Sequence, residues 1–377
     1  MRKYVSIVLM LICVPSLLLL LASCGSSDGV YGHDEISTDL IYESSLELEY
    51  AEQFTADFYE DGCALITVAD TEQYLYVPED ADMPSGVPEE VMIIQGPARN
   101  IYVAGTADMD YYVAMDGLDD VGFTSLEADG WYLDEVAAAV SAGDILYAGK
   151  YSAPDYELLL GEGCDLIIEN TMIMHSPDIL EQLRELGFPT LVDHSSYEDT
   201  VCGRMEWIKL YGILSGRLDE AVRAYDAQAE TAMMDYGDTG CSVAFFYFTS
   251  SGTVNVRNSD DYVAQMIAMA GGTYALSDLS SEDATGTTTI GIEDFISSVS
   301  DVDYLIYNST IQGEVDGVDD LIARCPLLAD CRAVREGHVY CTGSSMYQSV
   351  MELGTVVSDI HKMMNGGEDM TFIYHLD

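Results

Sequence analysis

Apolar residues change their spacing several times along this chain, and the changes divide it. Across 54–95 they fall in short runs. Ala64-Leu65-Ile66-Thr67-Val68 and Tyr74-Leu75-Tyr76-Val77-Pro78 flank Asp70-Thr71-Glu72, a β-hairpin signature. From 101 onward, short apolar strands alternate with helical patterns. Strands are expected at 101–104, 121–123, 145–147, 165–168 and 190–192, and helices near 108–117, 133–141, from about 154, and at 177–186. This alternation predicts a mostly parallel sheet covered on both faces.

Residues 204–236 interrupt the rhythm. Trp207, Leu210, Tyr211, Leu214, Leu218, Ala221, Val222 and Tyr225 recur at steps of three and four. Gly212 and Gly216 each cost about 1 kcal/mol against alanine, yet the stripe runs through them. One helix of roughly 45 Å is therefore expected, bridging two halves. Strands then resume at 243–248, 304–307 and 338–341, with helices at 262–270, 317–324 and 346–364. The fold class is α/β: two lobes joined by one long helix. The boundaries are a leader at 1–23, a tether at 24–45, a first lobe at 46–203 carrying an added N-terminal β-hairpin, the bridge at 204–236, and a second lobe at 237–377.

The leader begins with Arg2 and Lys3, continues as an apolar stretch over 5–21, and ends at Leu21-Ala22-Ser23-Cys24. Cations, an apolar core and small residues before a break make a secretory signal. The cysteine at the junction resembles the bacterial lipobox, which implies cleavage before Cys24 and lipidation of its thiol. Two or three acyl chains anchor stably where one binds only marginally. Polar Gly25-Ser26-Ser27-Asp28-Gly29 follows, as a tether requires. The expected location is extracytoplasmic, tied to the cell membrane.

Charge narrows the function further. Against 66 Asp and Glu stand 14 Lys and Arg, a formal net charge of −52. Such a field repels nucleic acid, so that partner is excluded. The apolar fraction of 49% with no second long apolar run indicates a globular chain. Beyond Cys13 and Cys24 there are seven cysteines, with no CxxC that would suggest a zinc ribbon; Cys325 and Cys331 could pair around Pro326.

The two-lobed plan behind a lipobox resembles the substrate-binding proteins of ABC importers that carry iron–siderophores, haem or cobalamin. The segments carrying the resemblance are 165–174 (DLIIENTMIM) with His175, 195–212 (SSYEDTVCGRMEWIKLYG), 148–155 (AGKYSAPD), 244–257 (AFFYFTSSGTVNVR) and 304–310 (YLIYNST). The resemblance implies two Rossmann-like lobes with a ligand cleft between them, no intrinsic cofactor, no chemistry, and a monomer. It implies a ferric siderophore, haem or corrinoid as ligand, and as partners ABC permease subunits with a cytoplasmic ATPase. Relatives dock their permease through one acid on each lobe. Asp110 occupies that place in the first lobe; in the second, Gln265 stands at the corresponding position, and Asp260 or Asp261 could substitute.

Ligands of open α/β sheets bind beyond the carboxyl ends of the parallel strands. On strand-end loops lie Lys150, Arg204 and Arg257, three of the few cations; a guanidinium grips carboxylate or chelate oxygens with two parallel bonds. For Arg204, which opens the bridging pattern beside Glu206, an internal ion pair competes with that role. His175 and Met174 are axial-ligand candidates if the ligand is haem, with Tyr151, Tyr197 and Tyr347 alongside; a capping histidine and core methionines are the plainer alternative. Trp131 either stacks on a planar ring or seals the lobe. No direct metal site is expected from six scattered histidines. Two other functions compete: a surface scavenger or sensor lipoprotein without a transporter, and a chelatase-like enzyme using His175 and Glu169. Against the enzyme, no G-x-S-x-G, H-E-x-x-H, Walker A or dinucleotide fingerprint is present.

Overall fold

In the computed structural model the described residues are 30–278, 286–313 and 315–377. The leader and Cys24 lie outside them. No helix among the described residues is long and apolar enough to cross a membrane.

The N-terminal region is larger than a hairpin. Five strands, Tyr42–Ser45, Phe54–Tyr59, Ala64–Val68, Glu72–Pro78 and Met92–Gly96, form one sheet in chain order, antiparallel except for the last pair. The tight reversal after Val68 places Ala69 and Asp70 at positive φ, the left-handed geometry that twisted hairpins favour. Both sheet faces are buried. Ala56, Ile66, Val68 and Tyr74 pack toward the main core, while Tyr59, Leu65, Leu75 and Val77 are covered by Ile36 and Leu40. Residues 30–45 are thus part of the folded body, a correction to the expected tether. Ser37 and Asp39 hydrogen-bond to Ser85, pinning that segment across the sheet.

The first lobe is a five-stranded parallel sheet. Its spatial order is Thr190–Asp193, Ile167–Asn170, Ile101–Val103, Val121–Thr124, Leu146–Tyr147. The order in which strands are added reverses between Ile101–Val103 and Ile167–Asn170, which is the doubly wound switch point where a crevice opens. The N-terminal sheet is anchored beside it by buried carboxylates. Glu206 accepts the backbone N–H groups of Glu49, Tyr50 and Ala51 and pairs with Lys209 at 2.7 Å. Glu198 accepts those of Glu52 and Gln53 and the Trp207 indole.

The single long helix expected at 204–236 is three: Val201–Glu206, Ile208–Ser215 and Leu218–Ala232. Gly216, at φ 68°, ends the second with its N–H returning to Gly212 and Ile213. A Cβ on Gly212 would lie 2.7 Å from the Ala221 Cβ, so that glycine lets Leu218–Ala232 fold back closely. The glycines that looked like a tolerated cost are the turn itself. Leu218–Ala232, about 22 Å long, packs on Leu353–Met364 of the second lobe, where a Cβ on Gly354 would lie 2.4 Å from the Gln228 carbonyl.

The second lobe is a mixed sheet rather than a mostly parallel one. Ser242–Phe248, Tyr304–Tyr307 and Val339–Thr342 are parallel, with Thr273–Tyr274 beside the start of the first. Val254–Arg257 and Thr287–Ile290 extend it as an antiparallel pair, and Ile373–His375 closes the other edge.

Candidate functional site: a polar cleft between the lobes

A cavity of about 550 Å³ lies between the lobes. The first lobe contributes Thr171, Ser196, Tyr197, Glu198, Asp199 and Arg204; the second contributes Arg257, Asn258, Asp260, Asp261, Tyr262 and Gly286. Thr171 follows the end of Ile167–Asn170, where Asn170 caps a short helical turn by accepting the Met172 N–H. Ser196 and Tyr197 follow the end of Thr190–Asp193. The strand-end rule therefore locates the first-lobe wall.

Arg204 donates to the Ser196 carbonyl at 2.6 Å and lays its guanidinium over the Tyr262 ring, 4.1 Å from the centroid. Its Nε is buried without a partner. Arg257 ends Val254–Arg257 and is fixed from three sides. It pairs with Asp261 at 3.4 Å, donates to the Tyr347 hydroxyl, and offers its carbonyl to the Tyr274 hydroxyl at 2.8 Å. Asn308 also donates to Tyr347, at 3.2 Å. Tyr347 is thus a buttress behind the cavity rather than part of its lining. Burial raises the Asp261 carboxyl, offset in part by Arg257 and by the Val263 N–H that Asp261 caps. Burial alone would lower Arg257, but Tyr347, Tyr262 and Asp261 reverse that and hold it cationic.

Of the expected ligand residues, Tyr197, Arg204 and Arg257 meet in this cavity. Lys150, Tyr151, Met174, His175 and Trp131 do not line it. Lys150 is exposed on a two-residue ladder paired with Ala153. Tyr151 packs against Ile173, Leu180 and Val192. In the turn Thr171–His175, Ile173 takes the buried position, which turns Met174 and His175 to solvent. Trp131 is buried in the main core. Asn258 and Tyr262 were not among the expected ligand residues, and Asp260 was expected only as a docking acid; all three lie between Arg257 and the start of the helix Tyr262–Met269.

Asp110 and Asp261 are corrected as docking acids, while the alternative Asp260 is exposed. Asp110 is 4% exposed and accepts the Met351 N–H of the second lobe at 2.7 Å; burial raises it to about 7. Asp261 is buried in the cleft. Neither carboxylate can meet an arginine on another protein without opening the lobes. More polar contacts clasp the interface. Gln348 receives the Tyr132 N–H at 2.8 Å and donates to the Gly130 carbonyl at 2.9 Å, and Gln265 donates to the Asp199 carbonyl.

This two-lobed body, with its cleft at the strand ends, agrees with what the chain is similar to. Residues 107–346 match the family described as periplasmic binding protein. The chain belongs to the periplasmic binding protein family. Among solved members, one from Veillonella parvula aligns with a TM-score of 0.59 at 15% identity, covering 72% of this chain and 93% of that one. The periplasmic haem-binding protein HutB of Vibrio cholerae aligns at 0.54 and 16%, covering 70% and 98%. An Fe³⁺-hydroxamate transport protein from Saccharomonospora viridis aligns at 0.52 and 19%, covering 70% and 92%. At these identities the likeness concerns the fold. In sequence, an uncharacterized lipoprotein of Methanocaldococcus jannaschii is 20% identical over 312 residues, 78% of this chain and 72% of that protein. The five-stranded sheet at 42–96 precedes the stretch that matches the periplasmic binding protein family.

Proposed function

We propose that this periplasmic binding protein is a lipid-anchored, extracytoplasmic receptor that takes an oxygen-rich, anionic iron chelate of the siderophore type and passes it to an ABC permease. The observation that carries this reading is the pair Arg204 and Arg257, brought from opposite lobes into one cavity. Each presents a planar fork suited to carboxylate, catecholate or similar oxygens. Haem and corrinoids present large apolar surfaces, whereas the described lining holds no aliphatic side chain, histidine or methionine, and only the rings of Tyr197 and Tyr262. Within the family the siderophore-type ligand is therefore preferred over the tetrapyrroles.

The test is a titration of the soluble chain from Ser26 onward with ferric catecholate, ferric citrate, haem and cobalamin, followed by tryptophan fluorescence and visible absorbance. Submicromolar binding of an anionic ferric chelate is expected, abolished in Arg257→Ala. Tight binding of haem with a shifted Soret band would replace the siderophore reading by a tetrapyrrole one. The burial of Asp110 and Asp261 also suits the second reading, a scavenger without a transporter. Ligand-stimulated ATP hydrolysis by the genomically adjacent permease and ATPase, reconstituted together, separates the two.

A further inference from the structure

Three carboxylic acids with no cationic partner lie beneath the first-lobe wall of the cleft. Asp108 opens the helix after Ile101–Val103, Glu169 lies near the end of Ile167–Asn170, and Asp193 ends Thr190–Asp193. These are the carboxyl ends of three adjacent parallel strands. Their exposures are 3%, 0% and 2%. Among the described residues, no ion pair includes any of them.

Their hydrogen bonding divides them. Asp193 accepts three donors: the Ser195 N–H at 2.8 Å, the Ser195 hydroxyl at 2.5 Å and the Tyr211 hydroxyl at 2.7 Å. Glu169 has both oxygens buried without a partner, and Asp108 has one. Three donors stabilise a carboxylate, and none leaves a buried acid stable only with its proton. Burial raises all three; the donors to Asp193 offset part of that and leave it at about 6, so Asp193 is the first of them to ionise, while Asp108 and Glu169 keep their protons to higher pH. The groups facing them add no positive charge. Tyr102 and Tyr156 face Glu169, with the Tyr156 hydroxyl also unpartnered. Tyr111, Tyr112 and Tyr211 surround Asp108, and Glu198 acts on Asp193. Burial raises Asp108 most, and the charge of Asp193 adds to it; Glu169 would add to it only once it lost its proton. Arg204 acts on Tyr111, and the His194 ring lies beside that of Tyr197, with centroids 5.7 Å apart.

The trio is wired to the ligand wall. Asp193 holds Ser195, whose neighbour Ser196 lines the cavity and carries Arg204 on its carbonyl. Tyr211, bound to Asp193, packs on Tyr111 at 4.5 Å, and Tyr111 donates to the Arg204 carbonyl at 2.6 Å. Glu169 precedes Asn170 and the lining residue Thr171, whose hydroxyl is 3.4 Å from that of Ser196.

We propose that Asp108, Glu169 and Asp193 form a proton-linked control on the cleft, in which loss of the Glu169 proton strains the strand ends that position Ser196 and Arg204 and so weakens ligand binding. Burial places the Glu169 carboxyl at about 8, so the change falls in mildly alkaline solution. The coupling is reciprocal: bound ligand makes Glu169 harder to deprotonate. This inference rests on the cleft being the ligand site.

Two measurements on the soluble chain test it, with Glu169→Gln as an isosteric uncharged variant and Asp108→Asn as a second. Infrared difference spectra of ligand-free protein should show a protonated-carboxyl band at neutral pH, diminished in each variant. The affinity for the ferric chelate retained from the titration above is then measured for wild type and Glu169→Gln across mildly acid to alkaline pH. The ratio between the two cancels changes in the chelate itself. The wild type should lose about tenfold relative to the variant, as a coupling worth one pKa unit gives. A constant ratio, or no protonated-carboxyl band, overturns the proposal. If neither protein binds any chelate at any pH, the cleft reading fails and the inference falls with it, a result distinct from a pH-independent ratio.

Discussion

Arg204 of the first lobe and Tyr262 of the second meet inside the interlobe cavity, with the guanidinium carbon 4.1 Å from the ring centroid. The contact crosses the space a ligand would enter, so binding must exchange the tyrosine face for ligand oxygens. A cation–π contact is worth about 0.5–2 kcal/mol, and a charged hydrogen bond about 1.5–3 kcal/mol. An anionic ligand therefore gains on the exchange, and a neutral one does not.

Arg204→Lys removes the planar fork and keeps the charge. Affinity for the anionic chelate is expected to fall about tenfold or more, since an ammonium cannot reproduce two parallel bonds. Tyr262→Leu should instead raise the association rate, because the guanidinium no longer has to leave the ring. Stopped-flow binding distinguishes these outcomes.

Asp110→Arg is expected to damage the fold rather than only transporter docking. It places an unpaired cation where a carboxyl now receives the Met351 N–H, at a cost on the order of several kcal/mol. Asp110→Asn keeps an acceptor and should lower the melting temperature by only a few degrees. Thermal unfolding of both variants checks this.

Glu169→Gln should stabilise the protein near neutral pH. Folded Glu169 is raised from 4.5 to about 8 by burial, so the folded chain binds more protons than the unfolded one between those values. Stability contributed by this group therefore falls as pH rises from about 4.5 toward 8 and levels off above. The glutamine variant lacks that slope. Denaturant unfolding across this range measures it.

Glu206→Ala should loosen the N-terminal sheet. It removes the acceptor for three backbone N–H groups and leaves Lys209 buried without its carboxylate partner, a loss of about 3–5 kcal/mol by the usual cost of breaking a buried pair. Limited proteolysis should then cut at 46–53 before the lobes. Protection equal to wild type would show that apolar packing alone holds the sheet.

Cys24→Ser should leave the chain unlipidated and release it from the membrane fraction. Unchanged fractionation would overturn the lipid anchor.

The alternation at 101–192 was sufficient to read the first-lobe strands, because parallel strands buried on both faces appear as short apolar runs. The strand-end rule then found Tyr197, Arg204 and Arg257, since topology forces a crevice there whatever the side chains. It failed for Met174, His175 and Trp131, because which residue of a turn points inward depends on packing. Ile173 took the inward position in the turn Thr171–His175, and no local spacing distinguishes it from its neighbours. It failed at Gly212 and Gly216 because a helical stripe keeps its period across a tight turn between packed helices.

By itself the sequence determined the α/β class, the first-lobe strands, the two-lobed plan and the acidic character of the chain, all of which follow from local periodicity and composition. Only the tertiary structure decided that Asp110 is an interlobe hydrogen-bond acceptor, that Arg204 lies on Tyr262, and that Asp108, Glu169 and Asp193 share a buried floor without a cation. These depend on which distant segments meet in space, and burial and partnership then decide whether a carboxylate docks a neighbour, holds a fold together or keeps its proton.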